Sequence, residues 1–219
     1  MHDVIKSYKE VISAIEHRLK DQNITTQPKV IAVSKTFSLD KILPLIDYGH
    51  LDYGENKVQE AIEKWSDIKL TKKELKLHLI GKLQTNKVKQ AIKIFDYIHS
   101  VDSEKLAKKI ADEETKQNKK IKIFIQVNIG NEDQKSGINK NQLSDFYQFC
   151  KTLKLDVVGL MCIPPFEEDS RKYFEEMCVI SQSLNLKELS MGMSSDYLEA
   201  LSHSATYLRI GSSIFGKRD

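Results

Sequence analysis

A lysine near the start of the chain is the residue best placed to form a covalent bond. Lys35 ends a strand that begins with the apolar residues 30–33. We expect the amine to be partly desolvated there, which lowers its pKa and makes it a nucleophile that can form a Schiff base with a carbonyl compound. The alternative is a strand-end lysine whose ammonium group extends into water, because the chain contains thirty lysines.

Two loops near the end of the chain combine glycine with serine hydroxyls. They have the sequences SMGMSSD at 190–196 and RIGSS at 209–213. Glycine allows the backbone to approach a ligand closely, and amides and hydroxyls at the start of a helix bind anions. Either loop alone indicates only a turn and a helix cap, but the pair predicts a phosphate site. The residues concerned are Gly192, Ser194, Gly211, Ser212 and Ser213.

Arg209 lies within the otherwise apolar strand at 207–210, where an unpaired guanidinium would be costly to bury. It therefore needs a partner. One interpretation is an ion pair with a carboxylate such as Glu55, and the other is that its planar set of donors faces a ligand. His78, between Leu77 and Leu79, is typical of a core histidine with satisfied hydrogen bonds.

The elements that position these residues alternate regularly between strand and helix. Apolar residues at helical spacing predict an amphipathic helix over the first twenty residues, and eight strand and helix pairs follow. The predicted strands are 30–33, 51–53, 77–80, 97–101, 121–128, 157–161, 189–191 and 207–210. The predicted helices are 39–48, 56–65, 85–95, one opened by Ser103, 142–153, 169–184, 196–203 and 212–215.

Eight such pairs predict the α/β class and a single (β/α)₈ TIM barrel with an extra N-terminal helix. A doubly wound open sheet is the competing architecture, and the eightfold count and the absence of a G-x-G-x-x-G turn after the first strand disfavour it. Because no Pro, Ser or Gly linker divides the chain, we expect one domain over residues 1–219. In such a barrel the site lies at the C-terminal ends of the strands.

Composition excludes several functional classes. Hydrophobic residues make up 40% and charged residues 30% of the 219 positions, which excludes disordered and collagen-like chains. The net charge of +3 comes from interleaved lysines and acids, so nucleic acid is disfavoured as a partner. No apolar stretch of about 18 residues predicts a membrane segment. Cys150, Cys162 and Cys178 match neither a disulfide framework nor a metal site, so we expect a cytoplasmic, metal-free protein.

Seven ordered motifs at the strand ends resemble the pyridoxal phosphate homeostasis protein family, also called the YggS or PROSC family. This family is related to the N-terminal barrel of alanine racemase, and the resemblance covers nearly the whole chain. The motifs are AVSKT at 32–36, YGENKVQE at 53–60, HLIGKLQTNK at 78–87, QVNIGNEDQKSG at 126–137, GLMCIP at 159–164, LSMGMSSD at 189–196 and RIGSSIFGKR at 209–218. Lys82 departs from the family pattern, which commonly has Pro after Gly81.

The resemblance implies pyridoxal 5′-phosphate (PLP) as the cofactor and assigns a role to each matching residue. Lys35 would carry PLP as a Schiff base, and Arg209 would face the pyridine nitrogen. The protein would be a monomeric carrier that buffers PLP or delivers it to PLP-dependent apoenzymes, which affects amino-acid and keto-acid metabolism indirectly. The phosphate would be held by Ser194, Gly211 and Ser212, and the ring would lie beside Asn56 and Met161.

Efficient amino-acid racemisation is disfavoured on two grounds. An arginine at the pyridine nitrogen donates a hydrogen bond without protonating the ring, so the ring remains a weak electron sink. Alanine racemases also take a second base from a separate C-terminal domain, and only about ten residues follow the eighth strand here. Two alternatives stay open: a weak racemase or related enzyme that uses Lys35 as a base, and a barrel that binds a phosphorylated metabolite without a cofactor.

Overall fold

The structure, a computed structural model, describes residues 3–132 and 134–217 and contains a closed barrel of eight parallel strands. Each strand pairs with its neighbours in chain order, and the first strand pairs with the eighth to close the barrel. The predicted (β/α)₈ barrel is therefore confirmed. The strands are β1 (Lys29–Val33), β2 (Asp52–Glu55), β3 (Lys76–Leu79), β4 (Tyr97–Val101), β5 (Lys122–Val127), β6 (Asp156–Cys162), β7 (Glu188–Met193) and β8 (Tyr207–Ile210).

A helix follows every strand, and one more helix precedes β1. This first helix turns Val4, Val11, Ile15 and Leu19 inward, as its apolar spacing predicts, and packs against the helices that follow the first, seventh and eighth strands. The helices are α1 (Asp3–Asp21), α2 (Leu39–Asp47), α3 (Val58–Thr71), α4 (Val88–Ile94), α5 (Glu104–Gln117), α6 (Leu143–Thr152), α7 (Ser170–Ser183), α8 (Tyr197–Ser202) and α9 (Ser212–Phe215). In this described part of the chain no helix has the length and apolar character needed to cross a bilayer.

The predicted element boundaries differ from the observed ones where tertiary contacts extend an element. Strand β2 continues through Glu55 because Gly54 and Glu55 pair with His78 and Leu79 of β3. Helix α3 continues to Thr71, six residues beyond the predicted end, because no Gly or Pro interrupts it and Ile68 packs against the core. Short 3₁₀ turns precede α4 and α6, where single helices were expected.

The inside of the barrel is filled by side chains in layers. Side chains two positions apart on a strand point to the same side, so each inward residue at the mouth has another inward residue beneath it. We call these two sets the mouth layer and the inner layer. The mouth layer contains Val33, Ile80, Gln126, Ile163 and Arg209, and the inner layer contains Ile31, His78, Phe124, Met161 and Tyr207.

Candidate functional site

A cavity of about 710 Å³ opens at the C-terminal ends of the strands. Its volume lies within the range of about 300–1,000 Å³ that is common for small-molecule sites. Six of the seven residues predicted for the site line it, which are Lys35, Asn56, Ser194, Arg209, Gly211 and Ser212. The barrel therefore brings together residues that lie up to 177 positions apart in the chain.

Met161 is the predicted site residue that does not line the cavity. It is fully buried in the inner layer, two positions before Ile163, which belongs to the cavity wall. The prediction ended β6 at Met161, whereas the strand continues to Cys162. Met161 therefore packs below the floor of the cavity, and Ile163 takes the place at the wall.

Arg209 is 4% exposed and is held by two acceptors inside the barrel. One guanidinium nitrogen donates to Ser190 Oγ over 2.7 Å, and the other donates to the carbonyl oxygen of Cys162 over 2.8 Å. Burial lowers the pKa of Arg209, but a guanidinium keeps its proton in proteins. Arg209 thus presents a fixed positive charge to the cavity.

The alternative ion pair between Arg209 and Glu55 is wrong. Side chains alternate along β2, so Gly54 faces the barrel interior and Glu55 faces outward to α3. There the Glu55 carboxylate accepts hydrogen bonds from Trp65 and Lys64 of α3, both over 3.0 Å. Burial raises the pKa of Glu55, while the contacts to Trp65 and Lys64 oppose that change.

Lys35 lies in a turn directly beyond β1 and is partly buried at the cavity wall. The turn closes with a hydrogen bond from the Phe37 amide to the Ser34 carbonyl. Thr36 has φ +68, in the left-handed region that a β-branched residue rarely adopts, and its amide donates to Glu60 Oε1 over 2.7 Å. The surrounding contacts therefore hold the backbone on each side of the lysine.

Lys64 of α3 joins the groups behind this turn. Its ammonium donates to the Ser34 carbonyl over 2.9 Å and to Oε1 of Glu55 and of Glu60, both over 3.0 Å. Ser34 Oγ donates to Glu55 over 2.7 Å. We call Ser34, Glu55, Glu60 and Lys64 the anchor network. This network was not predicted, although the sequence GENKVQEAIEK places Glu60 and Lys64 on one helix face, four residues apart.

The two glycine and serine loops meet at the cavity, as predicted, through a contact that was not predicted. Ser194 Oγ accepts from the backbone amides of Gly211 and Ser213 over 3.2 and 3.4 Å. We expected this hydroxyl at the start of its own helix, but α8 begins at Tyr197 and Ser194 turns instead to the next loop. The serine oxygen thus occupies a point on which two N–H donors converge.

Close approach explains both glycines in these loops. Gly192 has φ +87, and a Cβ there would lie 2.6 Å from the Cβ of Ala200, so any side chain would collide with α8. A Cβ on Gly211 would lie 3.3 Å from the backbone oxygen of Val33, which is tighter than ordinary contact. The loop after β8 therefore packs directly against the end of β1, beside Lys35.

The loop after β5 also lines the cavity, although its sequence was noted above only as one of the seven motifs and was given no role at the site. Gln134, Lys135 and Ser136 contribute to the wall. The loop folds back on β5, because Gln126 Nε2 donates to the Ser136 carbonyl over 3.1 Å and Ile138 donates to the backbone of Gln126. The sequence does contain a signal for this role, because the polar loop that ends at Gly137 directly follows a barrel strand, where sites are built.

Charge is distributed unevenly around the cavity. Among the described residues that line it, four are Lys or Arg and none is Asp or Glu; the basic residues are Lys35, Lys82, Lys135 and Arg209, of which Lys135 pairs with Glu132 over 2.6 Å. Lys82, the departure from the family pattern, is exposed at the mouth and adds to this charge. Asp102 lies nearby, and burial raises the pKa of its carboxyl while Lys82 opposes the rise. The cavity therefore favours an anionic ligand.

In the part of the chain that the structure describes, no three His, Cys, Asp or Glu side chains form a group that could bind a metal ion. Both histidines near the site instead bond to other side chains. His78 lies between Asp52 and His99 at 2.9 and 3.0 Å, in agreement with its interpretation as a satisfied core residue.

The sequence is similar to proteins of one family over most of its length. The family model for the alanine racemase N-terminal domain matches residues 12–219. The pyridoxal phosphate homeostasis protein of Aquifex aeolicus (strain VF5) is 37% identical over 200 residues, which cover 87% of each chain. The protein of the same name from Escherichia coli (strain K12) is 35% identical over 202 residues, which cover 87% of this chain and 86% of the relative.

Solved structures agree with this assignment. PipY of Synechococcus elongatus PCC7942, with PLP bound, has a TM-score of 0.80 and 32% identity, over 92% of this chain and 100% of that chain. Alanine racemase of Clostridium difficile 630 shares the fold alone, with a TM-score of 0.73 and 14% identity over 98% of this chain and 56% of that chain. The resemblance of the motifs is thereby confirmed: the chain belongs to the pyridoxal phosphate homeostasis protein family, whose barrel is built like the N-terminal domain of alanine racemase.

Proposed function

We propose that the protein binds PLP through Lys35 and serves as a carrier that stores the cofactor and delivers it. The observation that carries this proposal is the cation-rich cavity in which Lys35, Arg209 and the Ser194 loop lie together. PLP is an anion with a reactive aldehyde, so it matches both the charge of the cavity and the amine in its wall. The bound PLP in the similar PipY structure supports the same ligand.

The residues present fit the phosphate of this cofactor. Two backbone amides already converge on Ser194 Oγ, and because that oxygen accepts from both, its own proton is left to donate to an anion. Ser194, Gly211 and Ser212 would hold the phosphate, and Asn56 would lie beside the ring. When bound, PLP supplies an aldehyde that condenses reversibly with a primary amine.

Arg209 favours storage of the cofactor over turnover. It donates hydrogen bonds and keeps its own proton, so it supplies no proton to a ligand nitrogen that faces it. Strong electron withdrawal by a pyridine ring needs that nitrogen protonated, a state that a carboxylate accepting its N–H stabilises and an arginine does not. The relatives are accordingly named as homeostasis proteins. We infer that amino-acid racemisation is at most a slow side reaction.

The same proposal covers the cellular setting of the protein. We propose a single barrel domain over residues 1–219 that works as a cytoplasmic monomer. Its recipients would be PLP-dependent apoenzymes, and its effect on amino-acid and keto-acid metabolism would follow from the supply of cofactor to them. The exposed cavity mouth, with Lys82 and Ser212 at its rim, supports exchange of a small anion with solvent.

Borohydride reduction tests the role of Lys35 directly. Purified protein is incubated with PLP, reduced and examined as an intact chain and as peptides by mass spectrometry. We expect one pyridoxyl group on the peptide that contains Lys35, and none there in Lys35→Ala. Lys57→Ala is the matched control, since Lys57 is an exposed lysine beside Asn56 that does not line the cavity. An unlabelled wild-type chain, or full labelling of Lys35→Ala, contradicts the proposal.

Solvent deuterium exchange separates the carrier from a racemase. The PLP-loaded protein is incubated with amino acids in heavy water, and exchange at Cα is followed by NMR. A carrier shows negligible exchange, whereas fast exchange that depends on Lys35 identifies an enzyme that uses the amine as a base. A barrel that binds only phosphorylated metabolites would keep its full affinity for PLP in Lys35→Ala.

A further inference from the structure

A chain of hydrogen bonds runs through the inside of the barrel from Arg209 to the opposite ends of the strands. Arg209 donates to Ser190 Oγ over 2.7 Å, and this oxygen lies 2.8 Å from Nδ1 of His99. Nε2 of His99 lies 3.0 Å from Nδ1 of His78, whose Nε2 lies 2.9 Å from a carboxylate oxygen of Asp52. Asp52 is the first residue of β2. We call Asp52, His78, His99 and Ser190 the axial relay.

Packing holds the members of the axial relay in place. His78, His99 and Ser190 are completely buried. The His78 ring stacks on Tyr97 with 4.3 Å between ring centroids, and the His99 ring stacks on Phe124 at 4.2 Å. These stacked contacts fix the planes of both imidazoles, and the hydrogen bonds select which ring nitrogen faces each partner.

The two ends of the relay determine the direction of every hydrogen bond between them. A guanidinium has only donors, and an ionised carboxylate has only acceptors. Burial lowers the pKa of both histidines, so each ring is neutral, with one N–H donor and one acceptor nitrogen. His78 then donates to Asp52 through Nε2 and accepts at Nδ1 from His99. His99 in turn accepts at Nδ1 from the hydroxyl of Ser190, whose oxygen accepts from Arg209.

Charged groups from neighbouring strands stabilise the acceptor end. Burial raises the pKa of Asp52, but the interaction with His78, followed by smaller effects of His50 and then Lys29, outweighs burial and holds the pKa below its usual value. Lys29 and Asp96 act on His78 with opposite signs. The relay therefore ends on an anion, and its hydrogen bonds all point away from the cationic Arg209, an arrangement in which each bond polarises the next.

We propose that the axial relay is a positioning device for Arg209, through which Ser190, His99 and Asp52 set the affinity of the cavity for its ligand without touching that ligand. A planar guanidinium held by one acceptor can swing about that contact, whereas two acceptors define its plane. The Cys162 carbonyl is one acceptor, and Ser190 is the second, oriented by the relay. This inference rests on the proposed function only for the identity of the ligand.

Histidine NMR tests the direction of the relay in the ligand-free protein. Two-bond ¹H–¹⁵N spectra of protein with ¹⁵N-labelled histidines report which ring nitrogen carries the proton. The His78→Gln and His99→Gln variants assign the signals. We expect neutral Nε2–H tautomers for both rings at neutral pH. A doubly protonated ring, or an Nδ1–H tautomer of either residue, overturns the relay as drawn.

Equilibrium dialysis with PLP tests the effect on the cavity. Ser190→Ala removes the hydroxyl that accepts a hydrogen bond from the Arg209 guanidinium. A hydrogen bond to a charged group changes an equilibrium constant about ten- to a hundred-fold, so we expect PLP to bind at least about tenfold more weakly to this variant. The same variant must shift the His99 Nδ1 signal. Asp52→Asn keeps the shape but removes the charge, so we expect it to shift the His78 and His99 signals and to weaken PLP binding by a smaller factor.

Ser181→Ala is the matched control, because Ser181 is another buried hydroxyl, bonded to the Leu186 carbonyl over 2.7 Å and remote from the cavity. It should leave both the histidine signals and PLP affinity unchanged. If Ser190→Ala behaves like this control, the relay has no positioning role and the inference fails. If wild-type protein binds no PLP but shows the expected tautomers, the proposed function fails while the direction of the relay is confirmed.

Discussion

The two sides of the cavity are held by different kinds of interaction. On the side of β1, the anchor network places a lysine and two carboxylates behind the turn that carries Lys35, and the Lys64 and Glu55 side chains are only 9% and 0% exposed. On the adjoining side, formed by the loops after β7 and β8, neutral backbone amides of Gly211 and Ser213 meet the hydroxyl of Ser194 at the cavity surface. One side is a buried ionic assembly, and the other is an open set of donors.

This difference separates stability from binding. Buried charges depend on one another, because loss of one partner leaves the others uncompensated away from water. Amides at a cavity surface can instead exchange a hydroxyl for water or for a ligand oxygen at small cost. We therefore expect substitutions in the anchor network to act mainly on folding and substitutions in the serine loops to act mainly on ligand affinity.

The largest expected effect comes from Lys64→Met. The methionine keeps most of the aliphatic packing but removes the ammonium that bonds to Ser34, Glu55 and Glu60. We expect the free energy of unfolding to fall by about 3 kcal/mol, near the low end for a broken buried pair, because a buried Glu55 with a raised pKa can take up a proton. Urea unfolding followed by circular dichroism measures this change.

Lys72→Met is the control for that prediction. Lys72 pairs with Asp47 over 3.5 Å, and the two side chains are 39% and 71% exposed. An exposed pair of this kind contributes little, so we expect a change of no more than about 0.5 kcal/mol. If Lys64→Met and Lys72→Met lower the free energy of unfolding by equal amounts, the buried ionic network contributes no more to stability than an exposed ion pair, and the comparison fails.

Ser194→Ala should lower the affinity for PLP more than it lowers the free energy of unfolding. The substitution leaves the amides of Gly211 and Ser213 accessible to water, so we expect the free energy of unfolding to fall by no more than about 1 kcal/mol. Loss of a hydroxyl donor to an anion should weaken PLP binding about tenfold, as measured by equilibrium dialysis. Ser183→Ala, on an exposed serine of α7, should change neither quantity. A large loss of stability with unchanged affinity would contradict the comparison.

The smallest expected effect is that of Thr36→Gly on the lysine side. A left-handed backbone costs an ordinary residue about 1–2 kcal/mol, and a glycine at this position would avoid that cost. Glycine is also more flexible in the unfolded chain, which lowers the stability of the folded protein by about 0.5–1 kcal/mol. We expect a net stabilisation of about 0.5 kcal/mol in urea unfolding. Asn118→Gly is the control, since Asn118 has φ +48 and asparagine tolerates this region, so its stability should change less. Destabilisation of Thr36→Gly would show that the threonine side chain supports the turn.

The site could be predicted from the sequence where characteristic residue types directly follow a predicted strand. The lysine after β1 and the Gly and Ser residues after β7 and β8 are visible in the sequence, and the parallel barrel brings strand ends to one mouth. Met161 was misplaced because a lining position depends on where β6 ends, and an error of one or two residues moves a side chain to another layer. Glu55 was paired wrongly because it lies one residue out of phase with the inward positions of β2.

The partners within the barrel could not be predicted in the same way. His78 was expected to be a satisfied core residue, but its neighbour His99 bonds to Ser190, 91 positions further along the chain. Likewise, the helical spacing of Glu60 and Lys64 indicates an ordinary surface pair, while the structure buries Lys64 against Ser34 and Glu55. Spacing identifies the face of an element but does not identify what packs against that face.

The sequence alone therefore determined the eight alternating strands and helices, the amine after β1 and the two glycine and serine loops, because each of these depends on residues that are close together in the chain. Only the tertiary structure decided which side chains join inside the barrel, where the axial relay and the anchor network form. The physical reason is that periodicity is a local property, whereas hydrogen bonds between strands depend on register and on the exact end of each strand.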